Sequence, residues 1–189
     1  MKLLVLIPHG NISAELQNIL EKNREDFFPF NSFFMPVTEL PESAGDAKEA
    51  KKLLSVIKKN VADKKEKTVC TITDLFIENK ILYCRADFTH ADFIKECTES
   101  FYKDKKTKDI PSADNAADSP ATQAMNKAEK PAFKNGAFLL GFEKNDGRLH
   151  AADNLPLSFS ALKLAVMDIS ENGFSFSWKV TASAWMPKA

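Results

Sequence analysis

The sequence predicts an α+β fold of two comparable, pseudo-symmetric lobes, with antiparallel sheets facing a central cleft and helices on the outside. Three observations lead to it. Strand-like and helix-like apolar patterns follow one another as strand, helix, strand, helix, then several strands, a helix, and strands again. Glu78-Asn79-Lys80 and Glu171-Asn172-Gly173 are tight-turn signals between apolar runs, and so mark antiparallel hairpins. Gly136 to Phe142 is an apolar run between polar stretches, the pattern of a strand covered on both faces.

A chain of 189 residues, 44% hydrophobic and 28% charged, is long enough for one sizeable core, and we read residues 1–189 as a single domain. Lys+Arg 26 balance Asp+Glu 26, so no global positive field holds a polyanion. Nucleic acid is therefore not favoured as a partner, and any such contact has to use a local patch. Cys70, Cys84 and Cys97 lack metal-type spacing and an even count, which suits reduced, buried thiols. The apolar run Leu3 to Ile7 is too short for a signal segment, and no later run approaches a membrane span. These features predict a cytoplasmic monomer with no membrane contact.

Lys2 to Ile7 is a strand of Leu, Val and Ile stopped by Pro8-His9-Gly10. Ile12, Leu16, Ile19 and Leu20 recur at helical spacing, with Asn11 or Ser13 as cap. Phe27 to Phe30 is a connection packing inward, and Ser32 to Val37 is a short strand in which Pro36 demands an edge or a bulge. Ser43 is placed to cap a helix with Ala47, Ala50, Leu54, Ile57 and Val61 on one face and mostly Lys and Glu on the other. Lys58, Lys59, Lys64, Lys65 and Lys67 read as a solvated face rather than a phosphate patch.

Val69 to Thr73, Leu75 to Glu78 and Lys80 to Asp87 are strands rich in β-branched and aromatic residues. Thr89-His90-Ala91-Asp92 starts a helix with the stripe Phe93, Ile94, Cys97 and Phe101. Lys103 to Pro131 is dominated by Lys, Asp, Ala, Ser and Pro, and reads as a mobile surface insertion. After Gly136 to Phe142 come a turn at Asn145-Asp146-Gly147, a connection from His150 to Ser160, and strands Leu162 to Ile169 and Phe174 to Trp185. In the last strand Phe174, Phe176, Trp178 and Val180 share one face.

This order, the length, and the places of Ser32 to Leu40 and Gly136 to Phe142 make the chain resemble the two-histidine (2H) phosphoesterases, the superfamily of the 2′,5′ RNA ligases and cyclic phosphodiesterases. The resemblance implies that each lobe supplies a strand reading His-x-Thr or His-x-Ser. One histidine would deprotonate the attacking hydroxyl, the other would protonate the leaving oxygen, and no metal or other cofactor is needed. The first motif falls on Ser32-Phe33-Phe34, with Thr38 to Glu42 resembling the loop that follows it. The second falls on Gly136 to Gly141, with Ala137 and Leu139 at the histidine and hydroxyl places. Ser32, Phe34, Ala137 and Leu139 thus replace the motif residues, and neither strand has an imidazole. A methyl or isobutyl group cannot move a proton.

The resemblance therefore leads to a scaffold without catalytic residues, acting as a binding or regulatory module for a small molecule or peptide in the central cleft. A divergent phosphodiesterase using His9 with Ser32 or Thr38 is the alternative from the enzyme class. An unrelated α+β protein-interaction domain is the third reading. His90 and His150 read as cap and loop residues, and Asp87, Asp92, Asp146 and Asp153 show no metal-ligand pattern.

Overall fold

The structure, a computed structural model, describes residues 1–30, 32–41, 44, 46–64, 66, 68–108, 133, 135–144, 148–150, 155–160, 162–172 and 175–186. The elements run β1 Lys2–Pro8, α1 Asn11–Lys22, β2 Phe27–Pro29, β3 Met35–Leu40, α2 Ala47–Asp63, β4 Cys70–Glu78 and β5 Ile81–Phe88. They continue with α3 Ala91–Lys108, β6 Ala137–Glu143, β7 Leu157–Phe159, β8 Leu162–Asn172 and β9 Ser175–Trp185. Two sheets result, one ordered β3-β1-β8-β9 and the other β2-β6-β5-β4-β7. Every strand pair is antiparallel. The α+β class with two antiparallel sheets is as the sequence predicts.

Alternation along the strands divides each sheet into two apolar faces. Leu4, Leu6, Leu164 and Val166 of the first sheet, and Leu82, Cys84, Phe138 and Leu140 of the second, point outward. They join the stripes of α1, α2 and α3 in one buried cluster. Leu3, Val5, Ala165 and Met167 point the other way and meet Ile81, Tyr83, Ala137 and Leu139 across the space between the sheets. β1, β5, β6 and β8 therefore feed two cores at once.

Several local details depart from expectation, each for a visible reason. The strand expected at Ser32 to Val37 is β3, Met35–Leu40, and begins later because the residues before it run along β6 instead of β1: the Leu139 N–H donates to the Phe34 carbonyl at 3.2 Å. Pro36 lies on an edge strand, and the β1–β3 register shifts opposite it, between Leu4 and Val5. Edge and bulge together accommodate its missing N–H. Val69 to Thr73 and Leu75 to Glu78 join into the single strand β4, with a register irregularity between Ile72 and Asp74. Leu157–Phe159, inside the expected connection, pairs with the start of β4.

The caps also differ. α1 starts from Gly10, whose φ of 63° lies in the left-handed region that glycine enters freely, while the Ser13 hydroxyl donates to the Pro8 carbonyl. α2 is capped by Asp46, which accepts from the Glu49 N–H at 2.6 Å and so satisfies one free donor of the first turn, worth about 1 kcal/mol. Ser43 lies outside the described residues. Thr89 bonds to the Val69 carbonyl and leaves α3 without a threonine cap.

Asn79 and Lys80 both have positive φ, at 49° and 62°, and form the two-residue turn of the β4–β5 hairpin. Asn172 pairs with Ser175, closing the second hairpin, whose Gly173 and Phe174 lie outside the described residues. α3 runs on to Lys108, six residues into the segment read as an insertion, and residues 109–131 of that segment lie outside the described residues. The same holds for Asn145 to Gly147. Among the described residues no helix is long and apolar enough to cross a membrane.

Candidate functional site

The segments carrying the two motif positions lie side by side: the residues leading into β3 of one sheet, and β6 of the other. Main-chain bonds join them: Phe30 N–H to Leu140 O at 2.9 Å, Leu139 N–H to Phe34 O at 3.2 Å, and Gly136 N–H, just before β6, to Pro36 O at 3.3 Å. At this seam the sheets come within hydrogen-bonding distance of each other. Gly141 belongs to the same arrangement, since a Cβ there would run into the Phe28 carbonyl oxygen of β2.

Three of the four motif positions come together at the seam. Phe34, Ala137 and Leu139 are 2%, 2% and 1% exposed and belong to the cluster between the sheets. Ser32 does not join them and is exposed. Around the three pack Tyr83, Val5, Ala165 and Met167, with Phe30, Phe133, Phe142 and Trp178 at the margin. The aromatic rings meet edge to face: Phe34 with Trp178 at 5.5 Å, Phe30 with Trp178 at 6.2 Å and Phe30 with Phe142 at 4.8 Å. Phe76 stacks on Tyr83 at 5.1 Å and 12°. Sequence reasoning misses Tyr83, Phe76 and Phe142 as members of this group. Their signal is present, because Ile81 and Tyr83 alternate with Leu82 and Cys84 along one strand.

Chemically the seam is poor. Among the cluster's side chains only the Tyr83 phenol ionises, and burial first, then the Glu78 charge, pushes its pKa up to about 12. A phenol held protonated so far above neutrality is no general base at physiological pH. Cys84, on the outward face of the same strand, is likewise pushed up by burial and by Asp74, and Cys70 rises to about 12 by burial and Asp87. All three cysteines are free and buried.

The polar residues considered in the sequence fall elsewhere. Thr38 pairs with Leu4 and so shares its outward face, where its hydroxyl donates to the Glu39 carbonyl at 3.4 Å. It lines a cavity of ≈ 240 Å³ with Thr98 and Tyr102 of α3. His9 is exposed beyond the end of β1, its ring edge-on to Trp185 at 4.8 Å. Lys163 places its Nζ 5.9 Å from the same indole. His9 and Thr38 thus belong to different surroundings.

His90 is 3% exposed, with its ring against Phe88 and no partner for Nε2 among the described residues. His150 is held through its backbone N–H by the Asn23 side chain, with Nε2 3.6 Å from an Asp26 oxygen. Among the described residues no group of three or more His, Cys, Asp or Glu could hold a metal ion.

Away from the seam the second sheet's inner face turns polar. Arg85 lies 3.5 Å from Asp74 and over the Phe76 ring at 5.2 Å. At the start of β6 a cavity of ≈ 400 Å³ is lined by Pro36, Asp87, Asp92, Lys95, Asn135 and Gly136 among others. It abuts both motif strands and carries charges of both signs.

With this geometry in view, the protein can be set beside known structures. The crystal structure of TT0787 of Thermus thermophilus aligns with a TM-score of 0.60, over 98% of this chain and 98% of that one. The fold is shared. At 11% identity the likeness concerns the fold alone. No family model matches the sequence, and no curated protein matches it.

Proposed function

We propose that this protein is a 2H phosphoesterase-like scaffold that has lost phosphodiester chemistry and works as a binding or regulatory module. The observation carrying this is the burial of Phe34, Ala137 and Leu139 in an apolar seam, where the related fold would need two facing imidazoles. An apolar cluster with one high-pKa phenol offers no proton relay, and filled space offers no room for a phosphate. The binding half of the proposal draws on the mixed-charge cavity beside the seam, which is of a size to take a small molecule or the end of a peptide. Free, buried thiols accord with a cytoplasmic location, and we take the protein to be a monomer.

The test is a panel of 2′,3′-cyclic and 3′,5′-cyclic nucleotides and RNA with cyclic-phosphate ends, assayed for hydrolysis from pH 5 to 9. No turnover above buffer is expected. Turnover that a single His9→Ala substitution abolishes would establish the divergent phosphodiesterase instead. The binding half is tested by thermal shift with the same compounds and short peptides. A ligand in the cavity raises the melting midpoint of the wild type but not of Lys95→Ala.

A further inference from the structure

The chain is neutral overall, yet one helix gathers positive charge on a single face. Taking about 100° per residue, Lys48, Lys51, Lys52, Lys58 and Lys59 of α2 fall within an arc of about 120°. The arc lies opposite the buried stripe Ala50, Leu53, Leu54, Ile57 and Val61. Only Ser55 and Ala62 share it, so it contains no carboxylate. The helix's own acids, Glu49 and Asp63, fall instead on the flank of Val56 and Asn60, which border the groove shared with α3.

All five lysines are exposed, and among the described residues none has an ion-pair partner. Lys64 is differently employed, its ammonium resting 4.2 Å from the centre of the Phe93 ring. The structure thus regroups the lysines: Lys58 and Lys59 belong with Lys48, Lys51 and Lys52 rather than with the cations that follow α2.

The five charges span about 16 Å along the axis and form two lines about 90° apart, Lys51 and Lys58 on one and Lys48, Lys52 and Lys59 on the other. We propose that this face of α2 binds the phosphate backbone of a nucleic-acid duplex without reading its sequence. A duplex groove presents two rows of phosphates to the two shoulders of a convex ridge, whereas a flat bilayer meets the crest and leaves the shoulders behind. A helix lying in a bilayer surface also needs a free apolar face, and the apolar face of α2 is at most 2% exposed. The arc has no Arg, Asn or Gln, whose planar groups fork onto base edges, and lysine ammoniums act on phosphates as point charges.

The experiment is fluorescence anisotropy of a labelled duplex of arbitrary sequence with the full chain, titrated at several salt concentrations between 50 and 200 mM. Five phosphate contacts predict a slope of about −4.5 in log K against log salt, a several-hundred-fold weakening across that range. Each single Lys→Gln change in the arc lowers the slope magnitude by about 1. The variant with all five changed loses binding, with an unchanged circular dichroism spectrum. Lys80→Gln, on the β4–β5 turn, leaves binding as it was. Should the fivefold variant not fold, the slopes of Lys52→Gln and Lys59→Gln alone decide. No binding at 50 mM salt, an unchanged slope in the variants, or a preference for phosphatidylserine vesicles over the duplex overturns the proposal.

Discussion

The two apolar layers of this protein grow from the same strands and differ in kind. The outward layer is mainly aliphatic, with Leu4, Leu6, Leu164 and Val166 packed against helical Leu53, Leu54 and Ile57. The inward layer has no helix, and at its centre and margin it relies on rings: Phe34, Tyr83, Trp178, Phe30, Phe76 and Phe142. Outside, ridges of one helix face fill a sheet, as any α+β protein requires. Inside, two sheets have to meet with no third element, and large flat side chains span the gap. The outward layer joins sheets to helices, and the inward one joins the two sheets to each other.

That contrast can be broken by substitution. If the inward layer is a true core, Phe34→Ala costs about 3–5 kcal/mol in urea unfolding, as a buried phenylalanine should. A loss below about 1 kcal/mol, within the range of surface changes, would mean that the space between the sheets is an open cleft. Leu53→Ala, in the outward layer and 0% exposed, is expected to cost about 3 kcal/mol by the same assay and calibrates the first result.

Alkaline pH probes the inward layer through Tyr83. Its pKa in the folded state, about 12, exceeds the ordinary 10, so the folded protein keeps a proton that the unfolded chain gives up. Its contribution is whole below pH 10 and is lost as pH rises from 10 to about 12. Tyr83→Phe should flatten the pH dependence of the urea midpoint across that interval. Tyr102, also pushed up to about 12 by burial and then by Glu49, leaves a residual slope. The smallest effect marks where the inward layer ends: Asp74→Ala removes an exposed partner of Arg85 and should change stability by less than about 1 kcal/mol.

Much of the fold was legible because its signals are local. Alternation along Ile81 to Phe88, the stripe of α2 and the turn residues Asn79 and Lys80 each specify their element within a few positions. What escaped was set by distant partners. Phe34 leaves β1 because β6, a hundred residues later, offers it a donor, and no pattern within residues 32–37 encodes that. Leu157–Phe159 is too short to signal itself and exists as a strand because β4 has an edge to fill. At the candidate site the sequence could place Ala137 and Leu139 on a buried strand. Whether the cleft beside them was open or filled depended on side chains from several separate strands.

The position of β1 also constrains when the protein can fold. β1 lies between β3 and β8, and although β3 follows within 40 residues, β8 starts only at Leu162. At a synthesis rate of about 5–20 residues per second, β1 spends roughly 10 s with one hydrogen-bonding edge unpaired after β3 has been made. The Leu and Val side chains of β1 face both layers, so neither layer can close during that interval. Folding therefore waits for the C-terminal hairpin, and a nascent chain stalled before residue 162 is the form most exposed to strand-to-strand aggregation.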